Sequence, residues 1–148
     1  MEVKHAESFF KSAGSEACYV DCIIRLAEDI QGLRHTLANI GRALDIGIDS
    51  GAVYFNTDYY SDKNNFTVKD AGFFLSKLTG KKYEARHEKR DYKLKSGEYA
   101  IQFKALSENN GKMGIGHFIY GEYDPLENSN TSKNGFVYSI RVFKEIKR

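Results

Sequence analysis

Between Cys18 and Ile30 the apolar residues Val20, Ile23, Ile24, Ala27 and Ile30 fall at i, i+3, i+4, i+7 and i+10, which is one face of an α-helix. Ser15 with Glu16 supplies its start and Gly32 its stop. A second helix is expected from Leu33 to about Leu44. The Asp45 to Asn65 stretch, with Gly47, Gly51, Asn56, Asp58, Asn64 and Asn65, reads as a loop holding at most a short helical turn. Thr67 to Leu78 is expected as a third helix, capped by Thr67 with Asp70 three residues on and closed by Gly80.

Past Gly80 the period shortens to two. Tyr99, Ile101, Phe103 and Ala105 alternate with Ala100, Gln102 and Lys104 as in a half-buried strand. Further strands are expected at Tyr83 to Glu88, Met113 to Tyr123 and Phe136 to Phe143. The turn clusters Lys95-Ser96-Gly97, Glu108-Asn109-Asn110-Gly111 and Asn128-Ser129-Asn130-Thr131-Ser132 separate them. Helices first and strands second describe an α+β domain whose N-terminal helices pack on one face of a mainly antiparallel sheet.

Composition narrows the class. A chain of 148 residues with 41% hydrophobic and 28% charged residues suits one globular domain over 1–148, large enough to need neither metal nor disulfide for folding. Lys and Arg number 22 against 20 Asp and Glu, and a net charge of +2 gives no bulk drive toward nucleic acid or a membrane surface. No apolar run approaches the roughly 20 residues of a membrane helix, and Met1 to Ser8 lacks a secretory pattern, so a cytoplasmic location is expected. The basic run Lys81 to Lys95 holds seven Lys/Arg against three Asp/Glu, and their alternation reads as an exposed strand rather than a nucleic-acid surface.

The two cysteines, Cys18 and Cys22, stand one helical turn apart. That spacing holds Cβ atoms ~5–6 Å apart against the ~3.5–4.5 Å a disulfide needs, so both thiols are expected reduced. At 3.6 residues per turn Cys18 falls among Asp21, Arg25 and Asp29, opposite the Val20, Ile23, Ile24 and Ala27 stripe. It also sits in the first turn, where exposed backbone N–H groups and the helix dipole stabilise a thiolate. Two readings of Cys18 stand: a nucleophile, or a small buried hydrophobe of the kind free cysteine often is. Cys22, nearer the apolar edge, reads as packing.

A thiol nucleophile needs a base, and a histidine steadied by a third polar group is the usual one. His5 is near the terminus, His35 is expected on a charged helix and His87 in the basic run. His117 lies in Gly116-His117-Phe118-Ile119-Tyr120-Gly121, an apolar strand flanked by glycines that permit close approach of a substrate. Seven residues on, Asp124 in Tyr123-Asp124-Pro125 can steady the imidazole or simply form a turn before proline.

In this order the three motifs resemble papain-like cysteine peptidases, and among them the small C39-type domains of bacterial and phage proteins that include bacteriocin-processing peptidases. The closing run Asn134 to Phe143 is similar to the last strand of such domains. The resemblance implies a papain-like α+β fold, with Cys18 as nucleophile, His117 as general base and then acid, and Asp124 orienting the imidazole. It implies hydrolysis of a peptide or amide bond through an acyl-enzyme, without cofactor or metal, on a peptide or protein substrate. The backbone N–H of Cys18 would be one oxyanion donor, as its place at the helix start also suggests.

The sequence departs from the family in two places. No glutamine lies in Phe9 to Ala17 to serve as second oxyanion donor, leaving Ser12 or Ser15 for that part, and Ala17 stands where glycine often precedes the cysteine. Loss of one such donor in other acyl-transfer enzymes costs about 10²–10³ in rate. The alternative is therefore an inactive papain-like domain that binds a peptide or protein. A zinc site from Cys18, Cys22 and a histidine lacks the second ligand pair such sites use, and no phosphate-binding glycine loop is present.

Overall fold

A computed structural model describes residues 17–58, 63–105, 108–109, 112–113, 116–120 and 136–147. The first helix, α1, spans Ala17–Gln31 and ends at Gly32, whose φ of 71° needs a residue without Cβ. Its stripe of Val20, Ile23, Ile24 and Ala27 is buried as the spacing predicts. The opposite side is not simply solvated, because Asp21 and Glu28 are buried too.

The second helix, α2, spans Leu37–Ser50 rather than Leu33 to Leu44. Thr36 sets its start by accepting the Asn39 N–H at 3.2 Å, and residues 33–36 become a linker. His35 lies in that linker and not on a helix. Gly47, taken as a sign of a loop, is buried inside α2 because it faces Val53 and Phe74 at close range.

The rest of the expected loop forms an antiparallel ribbon of β1 (Val53–Asp58) and β2 (Lys63–Val68), paired from Val53↔Val68 to Asp58↔Lys63. Asn and Asp are poor strand formers, so propensity hid it; tertiary pairing overrode them. Thr67 belongs to β2. Helix α3 is therefore shorter than expected, Ala71–Thr79, with Asp70 as its cap, accepting the Phe73 N–H at 3.0 Å.

The main sheet has four antiparallel strands in the order β3–β8–β4–β7: β3 (Tyr83–Lys89), β4 (Glu98–Ala105), β7 (Gly116–Ile119) and β8 (Phe136–Glu145). Between β4 and β7 lies a two-residue ladder, β5 (Glu108–Asn109) with β6 (Lys112–Met113). The expected strand from Met113 is thus divided, with Met113 in β6 and His117 in β7. Ile101 and Phe143 face the helices and join one core with α1, α2 and α3. Ile140 and Val142, alternating with Phe143, are buried on the other face of the sheet.

In the basic run, Arg86 donates to Glu98 at 2.8 Å, and Tyr92 and the Lys95 N–H donate to the same carboxylate. The Arg86 guanidinium, then the Lys95 N–H, hold the Glu98 carboxyl down at about 2. Three members of the run, Arg86, Tyr92 and Lys95, thereby fasten the β3–β4 loop.

Helix α3 sits directly on the β3 backbone. Ser76 donates to the Gly72 carbonyl at 2.7 Å and accepts the Tyr83 N–H at 2.8 Å. A Cβ on Gly72 would lie 3.0 Å from the Ala85 nitrogen and the Tyr83 oxygen, which the ladder with β8 holds in place. Gly72→Ala should therefore destabilise by about 1–2 kcal/mol despite alanine's better helix propensity, since helix and strand must part. Urea unfolding checks this; an unchanged or raised midpoint would show that α3 can shift without cost.

Candidate active site

Cys18 is the second residue of α1 and only 3% exposed. It lies outside the main apolar cluster, whereas Cys22 lies inside it, as its helical phase requires. Neither is in a disulfide.

Helix α1 lies against β7, the strand that carries His117. The Tyr19 ring stacks on Phe118 with centroids 4.1 Å apart and planes at 18°. Near the other end of α1, the Tyr120 hydroxyl donates to Asp29 at 2.6 Å. Burial, followed by the Asp29 carboxylate, pushes the Tyr120 phenol well above its ordinary range, and it stays a donor. Two anchors on one strand fix the position of α1 along β7.

The fold thus brings together the segments holding two of the expected site residues. The residue after Cys18 packs on the residue after His117. For His117 the strand position is described, in β7 opposite Lys104 of β4. Asp124, Ser12 and Ser15 lie outside the described residues.

Phe118 is part of a larger group that single-residue motifs did not reveal. Phe103 of β4 lies 4.9 Å from Phe118, centroid to centroid. Arg141 of β8 places its guanidinium carbon 5.4 Å from the Phe118 centroid and 6.0 Å from that of Phe103. Cation–π contact offsets part of the desolvation of a guanidinium. Burial raises the Tyr19 phenol far above its usual range, and the Arg141 charge opposes that rise. The alternation of β4 and β8 placed Phe103 and Arg141 on strands in the sequence, but only the β7–β4–β8 order makes them neighbours.

A second polar group lies on the other side of α1. His35 Nδ1 is 2.5 Å from Glu28 Oε1, and Nε2 is 3.4 Å from Asp21 Oδ1. Asp21 also accepts from Arg25 at 3.2 Å. Burial alone would lower the imidazole pKa; the nearby Asp21 carboxylate and the hydrogen-bonded Glu28 carboxylate outweigh it and raise it to about 9. The ring is therefore an imidazolium at neutral pH, clamped and unsuited to act as a base. Among the described residues no group of three or more His, Cys, Asp or Glu is placed to hold a metal ion.

Compared with protein-family models, curated proteins and solved structures, the chain matches none. The architecture itself defines an α+β protein, with three helices and antiparallel sheets among the described residues. No described helix is long and apolar enough to cross a membrane.

Proposed function

We propose that the chain is a papain-like cysteine peptidase or amidase whose site is Cys18, His117 and Asp124. The observation that supports this reading is that α1, with Cys18 in its first turn, packs on the sheet whose strand β7 carries His117. The contact itself is made by Tyr19 on Phe118 at 4.1 Å and by Asp29 with Tyr120, Phe118 and Tyr120 being the two residues that face α1. A cysteine-bearing helix laid on an antiparallel sheet that carries the histidine is the arrangement the papain-like reading requires.

In this reading His117 takes the thiol proton and the Cys18 thiolate attacks the carbonyl carbon of a peptide or side-chain amide. The oxyanion accepts from the Cys18 N–H, with Ser12 or Ser15 as a further donor. The C–N bond then breaks as the imidazolium gives its proton to the departing amine. Water, deprotonated by His117, releases the acid from the acyl-enzyme, and Asp124 keeps the ring oriented throughout. The helix dipole favours the thiolate while burial opposes it, so an imidazolium partner is needed to tip the balance. The reduced thiols fit the cytoplasm as the place of action.

The second reading is a binding module that holds a peptide or protein without cleaving it. The 3% exposure of Cys18, the lack of a glutamine in Phe9 to Ala17, and the alternation along β7, which turns Phe118 and Tyr120 toward α1, favour it.

The rate of iodoacetamide alkylation at Cys18 between pH 5 and pH 9, read by mass spectrometry with Cys22 as internal control, separates the two. A thiolate–imidazolium pair should make Cys18 about 100-fold faster near pH 6 than an ordinary thiol, and His117→Ala should remove that excess. Should Cys18 titrate near pH 8.5, or ignore the histidine change, the binding-module reading takes its place.

A further inference from the structure

Arg141 has no part in the acyl-transfer chemistry above; it lies on the side of the sheet that packs on α1. It occupies the middle of β8, paired with Ile101 on one side and His87 on the other. Its guanidinium lies against Phe118, whose ring also stacks on Tyr19, the neighbour of Cys18. Nη1 donates to Ser139 Oγ at 3.0 Å, which engages one of the five N–H donors a guanidinium offers. No carboxylate among the described residues forms an ion pair with it. Asp70, an acid within electrostatic reach of Tyr19, is committed to capping α3 through the Phe73 N–H.

A half-buried guanidinium laid on aromatic faces keeps its remaining N–H donors in a fixed plane. Its planar fork matches a carboxylate through two parallel N–H···O bonds, and the aromatic faces hold the fork at a fixed angle. The positive end of α1, which begins next to Tyr19, adds attraction of the same sign.

We propose that Arg141 binds a carboxylate on the ligand, so that the site takes peptides or amides bearing an acidic group next to the bond presented to Cys18. This rests on the cysteine-nucleophile reading for its catalytic meaning and on the Arg141 geometry for its binding meaning. The carboxylate is either an acidic side chain or the free end of a peptide, and both present the same two oxygens.

The test compares alkylation of Cys18 by iodoacetate and by iodoacetamide, near-isosteres that differ in charge. The ratio of the two rates cancels any change in thiolate fraction, and the urea-unfolded chain gives its reference value. The folded protein should exceed that reference by about tenfold, Arg141→Gln should return to it, and Arg141→Lys should keep part of the excess. A ratio equal to the reference, with Cys18 still reactive to iodoacetamide, overturns the anion site and leaves the nucleophile reading standing.

If Cys18 reacts with neither reagent, it is the nucleophile reading that fails. NMR titration with N-acetylglycine against N-acetylglycinamide then decides for Arg141. Saturable shifts at the Arg141 Nε–H and the Phe118 ring with the acid alone support the site, and equal or unsaturable responses overturn it. N-acetylglutamate α-amide in the same titration tells a side-chain carboxylate from a terminal one.

Discussion

Replacing His35 with alanine should destabilise the protein by about 3 kcal/mol at pH 6, and the deficit should shrink as the pH is raised past 9. The reason is charge burial. Asp21 is 1% exposed, Glu28 is buried, and the His35 imidazolium lies between their carboxylates. Without the ring, two carboxylates stay buried, with Arg25 beside Asp21 as their one ion-pair partner among the described residues. Leaving a buried charge uncompensated is the costly way to break an ion pair.

The pH dependence follows from the direction of the shift. The folded-state value, about 9, is above the ordinary 6.5, so the folded protein holds the proton more tightly than the unfolded chain. The stabilisation is complete below pH 6.5 and is lost as the pH rises through 9, amounting to about 3 kcal/mol across that window. The comparison of wild type with His35→Ala by urea unfolding at pH 6, 8 and 9.5 isolates this group from other alkaline effects. Parallel curves, with a constant gap at all three values, would show that His35 contributes packing and no charge.

Phe74→Ala should cost about 3–5 kcal/mol, the largest loss expected from one core position. Phe74 is fully buried in α3 and reaches α2 at Gly47, where a Cβ would lie 2.8 Å from its ring and 2.7 Å from Val53. The three elements meet there with no spare volume, so truncation leaves a cavity that the backbones cannot close. The same contact gives a sign test. Gly47→Ala should destabilise the wild type by about 1–3 kcal/mol and cost less in the Phe74→Ala background, since one of its two clashes is gone. Strict additivity in a double-mutant cycle would show that the two sites do not share this space.

Periodicity determined the local elements wherever one face of a segment is buried. The stripe of Val20, Ile23, Ile24 and Ala27 defined α1, and the alternation around Ile101 defined β4, because a 3.6-residue or two-residue repeat is the direct imprint of a one-sided core. Glycines also marked ends correctly at Gly32 and Gly80, where positive φ is required. The same logic failed at Gly47 and in the β1–β2 ribbon. There glycine serves close packing and not a turn, and polar strands are held by pairing rather than by their own propensity.

For the site, the sequence supplied residue types and order: a cysteine in a first helical turn, then a histidine in a glycine-flanked strand, then an aspartate before proline. What it could not supply is distance between parts far apart in the chain. The packing of Tyr19 on Phe118, the setting of Arg141 against two adjoining aromatic rings, and the clamp of His35 by Asp21 and Glu28 arise only when α1 is laid on β7 and the linker folds back over α1. Local pattern reports which face of an element is buried, whereas electrostatic partners are chosen by tertiary contact, where a few ångströms decide between an ion pair and a solvated charge.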